Sequence, residues 1–99
     1  MQKPLSQKHI LELSQLLYEV LTHIRLFARL GENQRVHDLA DAFHNLPAGI
    51  WRDDFDLERF QQQFITPYEN KYGLGTLTPG LQFSYSPVLN RIISERKKE

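Results

Sequence analysis

Between Ser6 and Gly31 runs the feature that most narrows what this chain can fold into: apolar side chains at helical spacing, closed at both ends by residues suited to caps. Ser6 stands where an N-cap would, with Leu5 before it and Ile10 placed to close a hydrophobic staple. Gly31 stands where a C-cap glycine would. The spacing predicts a helix from about Gln7 to Leu30. At about 100° per residue, Ile10, Leu13, Leu17, Val20, Leu21, Ile24, Phe27 and Ala28 form one broad stripe facing a core. Leu11 and Tyr18 fall on the other side, near Arg25 and Arg29, as a second, smaller apolar patch that something must cover. The expected cover is the chain's own C-terminus. The alternative is a partner, including a second copy of the chain in a homodimer through Leu11 and Tyr18.

A second helix is expected from near Asn33 to just before Pro47, since proline disfavours helical geometry in the residue preceding it. Its inward stripe is Val36, Leu39, Ala40, Phe43 and Leu46. The connection through Ala48, Gly49, Ile50 and Trp51 is apolar for a loop, so Trp51 should be packed. The carboxylates Asp53, Asp54 and Asp56 then precede a third periodic segment, where they suit a helix N-terminus as caps and against its dipole. Leu57, Phe60, Phe64 and Tyr68 form that segment's stripe. Pro67 interrupts it, but Thr66-Pro67-Tyr68-Glu69 reads as a capping box, so a kink or a fresh short helix to Tyr72 is expected, ended by Gly73.

Residues 73–80, with Gly73, Gly75, Pro79 and Gly80, read as a loop. Leu81, Phe83 and Tyr85 alternate with polar residues as a strand would, but a lone strand has no sheet to join, so extended chain packed on the helices is expected. Ser86-Pro87 offers an N-cap and first-turn proline for a short last helix carrying Val88, Leu89, Ile92 and Ile93, with Arg96, Lys97 and Lys98 at its end. The fold class expected is all-α: a small bundle of three main helices, a C-terminal extended segment and a short helix. Residues 1–73 would form the core, with 74–99 packing on the same single domain.

Lysine plus arginine equals aspartate plus glutamate at 12 each, which removes the long-range field that nucleic-acid binding exploits. The chain has no cysteine, which excludes disulfides, thiolate nucleophiles and thiolate-ligated metal centres. The N-terminal segment breaks its apolar residues with His9, Glu12, Gln15 and Glu19, unlike a signal peptide, and no run is long enough to span a bilayer. A cytoplasmic protein without membrane contact is expected.

His37, Asp41 and His44, spaced i, i+4 and i+7, place two imidazoles and a carboxylate in a narrow arc, a set that suits zinc or iron ligation or acid–base chemistry. No further ligand motif accompanies them. The favoured alternative has Asp41 accept a hydrogen bond from one of these histidines or from Arg25, Arg29 or Arg35, pinning the second helix to its neighbours. Neither a phosphate-binding glycine loop nor a nucleophile elbow is present, so no cofactor and no catalytic residues are assigned.

The run His37 to Pro47 (HDLADAFHNLP), the pair Asp54-Phe55 and the segment Tyr68-Glu69-Asn70-Lys71-Tyr72 together resemble small helical immunity proteins of polymorphic toxin systems, such as contact-dependent growth inhibition, and their relatives. The resemblance covers about Ile24 to Tyr72; Pro67 and the extended segment after Gly73 depart from its pattern. It implies a protein that is no enzyme: it would bind the C-terminal toxin domain of a cognate effector, commonly a nuclease, and occlude it stoichiometrically. Asp53, Asp54, Asp56 and Glu58 would then mimic phosphates for a basic cleft, with Trp51 as an aromatic anchor. The competing readings are a small metal-binding or histidine-dependent helical enzyme and a self-associating helical adaptor.

Overall fold

The structure, a computed structural model, describes residues 5–50, 52, 55–72, 75–78, 81–83 and 85–98. Trp51, Asp53, Asp54, Gly73 and Gly80 lie outside the described residues. The elements are α1 (Gln7–Arg29), α2 (Asn33–Phe43), α3 (Leu46–Ile50), α4 (Leu57–Phe60), a π turn (Gln61–Ile65), α5 (Thr66–Tyr72), β1 (Gly75–Thr78), β2 (Leu81–Phe83) and α6 (Ser86–Lys97). The class is all-α, with the three main helical stretches, the extended segment and the short last helix that the sequence predicts. The chain divides into two compact units, residues 1–56 and 57–99, so α6 and the hairpin group with the third periodic segment.

In the first unit, the caps of α1 form as expected. The Ser6 hydroxyl accepts the His9 N–H at 3.2 Å. Gly31 adopts φ +79°, and the bonds Glu32 N–H to Phe27 O (3.0 Å) and Gly31 N–H to Ala28 O (3.1 Å) close the helix end in the paired pattern of a Schellman motif. A side chain with a Cβ is strained at this φ, which accounts for the glycine.

The buried stripe of α1 departs from expectation. Leu13, Val20 and Phe27 are buried as predicted, but His9 and Leu16 join them, while Leu21 and Ala28 are exposed. The observed stripe is rotated by about 60° from the centre of the apolar arc, at 100° per residue. Periodicity finds the middle of an apolar arc; packing buries only the sector that neighbours cover. Leu11 and Tyr18, for which a cover is expected, are 61% and 74% exposed.

Packed against α1, α2 buries Leu39, Ala42 and Phe43, whereas Ala40 is exposed and Val36 half-buried. The helix stops at Phe43 rather than running to Pro47, and Pro47 sits inside α3, in its first turn. There a missing N–H removes no intrahelical bond, so the segment read as a loop forms one more helical turn. Gly49 in that turn is buried, and a Cβ on it would collide with the Phe55 ring.

In the second unit the π turn resets the helical phase. Its wider turn, closed by Thr66 N–H to Gln61 O, inserts one residue into the stripe. Leu57, Phe60 and Tyr68 are buried as predicted, but Ile65 replaces Phe64, and Gln61 and Glu69 are buried with them. Pro67 supplies the cause: its ring would clash with the carbonyl four residues back, and a widened turn before it relieves that contact while the helix continues to Tyr72.

The segment Leu81–Phe83 does find a partner. It pairs antiparallel with β1 in the register Gly75 to Phe83, Thr76 to Gln82 and Thr78 to Leu81, with a register shift between Thr76 and Thr78. The stretch read as loop therefore contains the second strand of a hairpin. Among the described residues no helix is long and apolar enough to cross a membrane.

Candidate functional site

Residues 57–97 form a polar groove of about 400 Å³ along α4, the π turn and α6. Glu58, Gln61, Gln62 and Thr66 line one wall; Asn90, Ile93, Ser94 and Lys97 line the other. Two contacts bridge the walls. The Gln61 amide donates to Asn90 Oδ1 at 2.8 Å, and Glu58 Oε2 meets Lys97 Nζ at 3.5 Å. Glu58 and Lys97 keep 46% and 66% of their side chains exposed, so this ion pair is solvated and exchangeable.

Beyond the groove, Glu69 fixes the start of α6. Its carboxylate is buried and accepts the Tyr85 N–H at 3.1 Å and the Ser86 hydroxyl. An anion at a helix N-terminus satisfies an orphan donor and complements the helix dipole. The predicted capping box does not form: Thr66 continues the helix, and Glu69 serves α6 instead. Ser86 is likewise the first helical residue of α6, with Tyr85 in the N-cap position. Tyr68 stacks between Tyr72 and Tyr85, with ring centroids at 4.9 and 6.3 Å.

Of the predicted contact residues, Trp51, Asp53 and Asp54 lie outside the described residues, Asp56 is half-buried, and Glu58 stands on the groove rim. The His37, Asp41 and His44 set does not assemble. His37 Nδ1 meets Asp38 Oδ1 at 3.5 Å and His37 Nε2 meets Asp41 Oδ2 at 3.7 Å, with His37 and Asp41 about 70% exposed and His44 beyond the end of α2. These contacts stay on one helix, so Asp41 accepts no hydrogen bond that pins α2 to a neighbour. Among the described residues, no three His, Asp or Glu side chains converge as a metal site.

One histidine is perturbed. Partial burial, and then the Arg35 guanidinium, hold the His23 imidazole below its ordinary pKa of 6.5. Arg35 lies 4.2 Å from the centroid of the Phe27 ring and 3.8 Å from Glu32. Sequence reading passed over Gln61, Asn90 and Glu69. The three glutamines Gln61 to Gln63 were the visible trace, and only the phase shift before Pro67 explains why the first of them turns inward. No known protein family, curated protein or solved structure matches this chain.

Proposed function

We propose that this chain works by stoichiometric binding, as an immunity protein that neutralises a cognate toxin domain, commonly a nuclease, without a catalytic step of its own. The observation that carries the reading is the groove rim. Glu58 ends a carboxylate-rich run that begins at Asp53, and its Lys97 partner is a solvated cation that a better-placed one can displace. A lysine or arginine of a basic toxin cleft would take the place of Lys97 on Glu58, while Gln62 and Ser94 offer hydrogen bonds to the residues flanking it. Asp53, Asp54 and Asp56 would extend the acidic surface in the manner of phosphates, with Trp51 as the aromatic anchor. The resemblance carried by His37 to Pro47 supports the same class, as does the charge balance, which steers toward no nucleic acid directly. On this reading the protein acts in the cytoplasm and needs no cofactor.

The test is to co-express the chain with the C-terminal domain of a large secreted protein encoded immediately upstream and to measure binding by calorimetry. One-to-one binding in the nanomolar range is expected, with rescue of cells from that domain. Glu58→Ala should weaken the complex by at least ~2 kcal/mol if Glu58 is a central anchor, whereas Asp56→Asn should mainly slow association. Absence of binding would end the assignment.

A further inference from the structure

The first unit leaves α1 with more apolar surface than it buries. Four large apolar side chains are exposed among the described residues, and three of them, Leu11 (61%), Tyr18 (74%) and Leu21 (60%), stand on one face of α1. Leu11, Ser14, Tyr18, Leu21, Arg25 and Ala28 recur at alternating steps of three and four, the spacing of a seam between two helices, and all six are exposed. The hydroxyls beside this seam are turned inward on their own helix: Ser14 donates to Ile10 O at 2.9 Å and Thr22 to Tyr18 O at 3.0 Å. Covering the face would therefore strand neither of these donors.

The seam is also symmetric. The midpoints of Leu11 and Ala28, of Ser14 and Arg25, and of Tyr18 and Leu21 all fall between Glu19 and Val20. We infer that this face binds a second copy of the chain, the two α1 helices running antiparallel about a two-fold axis between Glu19 and Val20. An isologous contact of this kind sets each residue against its mirror position. Leu11 then meets the small Ala28, Tyr18 meets Leu21, and Ser14 leaves room for the aliphatic stem of Arg25, so large faces small along the seam.

Charge selects the same orientation. Arg25 and Arg29 of the second copy come level with Ser14 and Ile10, each about 3 Å along the axis from the level of Glu12, at 1.5 Å rise per residue. A parallel pairing would instead set Arg25 against Arg25, which is repulsive. One helix of 23 residues offers less than a standard interface, so the dimer should be weak, with a dissociation constant of roughly 10–100 µM.

Because the chain has no cysteine, single cysteines report the pairing cleanly. Ser14→Cys and Arg25→Cys chains are purified, mixed at a concentration above the expected dissociation constant and mildly oxidised. The expected result is a mixed disulfide dimer well in excess of either variant's self-crosslink. It should disappear when both chains also carry Tyr18→Glu and Leu21→Glu, exposed changes whose retained fold circular dichroism checks. Sedimentation equilibrium should show the same pair of changes weakening the dimer at least ~tenfold. Self-crosslinking of Ser14→Cys as strong as the mixed product would overturn the antiparallel arrangement. A monomer at all concentrations up to ~0.5 mM, far above the expected constant, would overturn the contact itself.

Discussion

The two units, residues 7–50 and residues 57–97, are both built from packed helices but held by different chemistry. The hydrogen bonds described for the first join residues three or four apart, and what spans its length is carbon: Leu13, Val20, Phe27, Leu39, Phe43 and Leu46 are almost wholly buried. The second closes through polar side chains that bond across 16, 17 and 29 residues of sequence, from Glu69 to Tyr85 and Ser86 and from Gln61 to Asn90. An apolar closure is tolerant, because any side chain of about the right volume contributes. A polar closure is demanding, because removing one partner leaves the other buried and unsatisfied. The first unit should therefore fail by degrees as volume is lost, and the second by the loss of single atoms.

Phe27→Ala offers the largest expected effect. The ring is fully buried and carries the Arg35 guanidinium on its face, so truncation should lower stability by about 3–5 kcal/mol, measured by urea denaturation. Phe27→Leu, which keeps much of the volume, should recover more than half of that loss. A Leu variant as damaging as the Ala variant would break the picture of a volume-tolerant first unit.

Glu69→Ala is the matching change in the second unit and should lower stability by about 2–3 kcal/mol, since the Tyr85 N–H loses a charged acceptor in a buried position. Here the isosteric Glu69→Gln should recover little, because an amide supplies one acceptor oxygen where the carboxylate uses two. Amide hydrogen exchange should show the loss concentrated in α6 rather than in α1. Full recovery by Gln would mean that shape, not charge-assisted bonding, holds the start of α6.

The same contrast explains which parts of the molecule could be read from the sequence. Helix α1, with its cap at Ser6 and its left-handed Gly31, was legible because caps and periodicity are local, and so was the stripe of Leu57, Phe60 and Tyr68. What failed was phase. The apolar arc of α1 is wider than its buried sector, so its centre misplaced Leu21 and Ala28, and the π turn moved the inward position from Phe64 to Ile65. The hairpin was missed for a related reason: Gly75–Thr78 has the composition of a loop, and its strand character comes only from pairing with Leu81–Phe83. Of the candidate groove, Glu58 was legible through its place in an acidic run. Gln61, Asn90 and Lys97 were not, since nothing local relates residues so distant in sequence. His37, Asp41 and His44 show the converse error, a regular spacing that yields only exposed contacts along one helix.

The smallest expected effect refines the description of the first unit, where one titratable ring interrupts the carbon. Burial first, and Arg35 second, lower the pKa of His23 in the folded protein below its ordinary 6.5, so the native state favours the neutral ring. The unfolded chain then binds a proton at a higher pH than the folded one does. Stability from this residue is present in full above the unfolded value, is lost as pH falls from about 6.5 toward the lowered folded value, and changes no further below that. The thermal midpoint should accordingly drop between neutral and mildly acidic pH by more in the native sequence than in His23→Gln, whose uncharged side chain has no proton to gain. The difference between the two profiles isolates His23 from the exposed His37 and His44, which both proteins retain. Identical profiles would show that the ring gives up no stability on charging, and would leave the first unit closed by apolar packing alone.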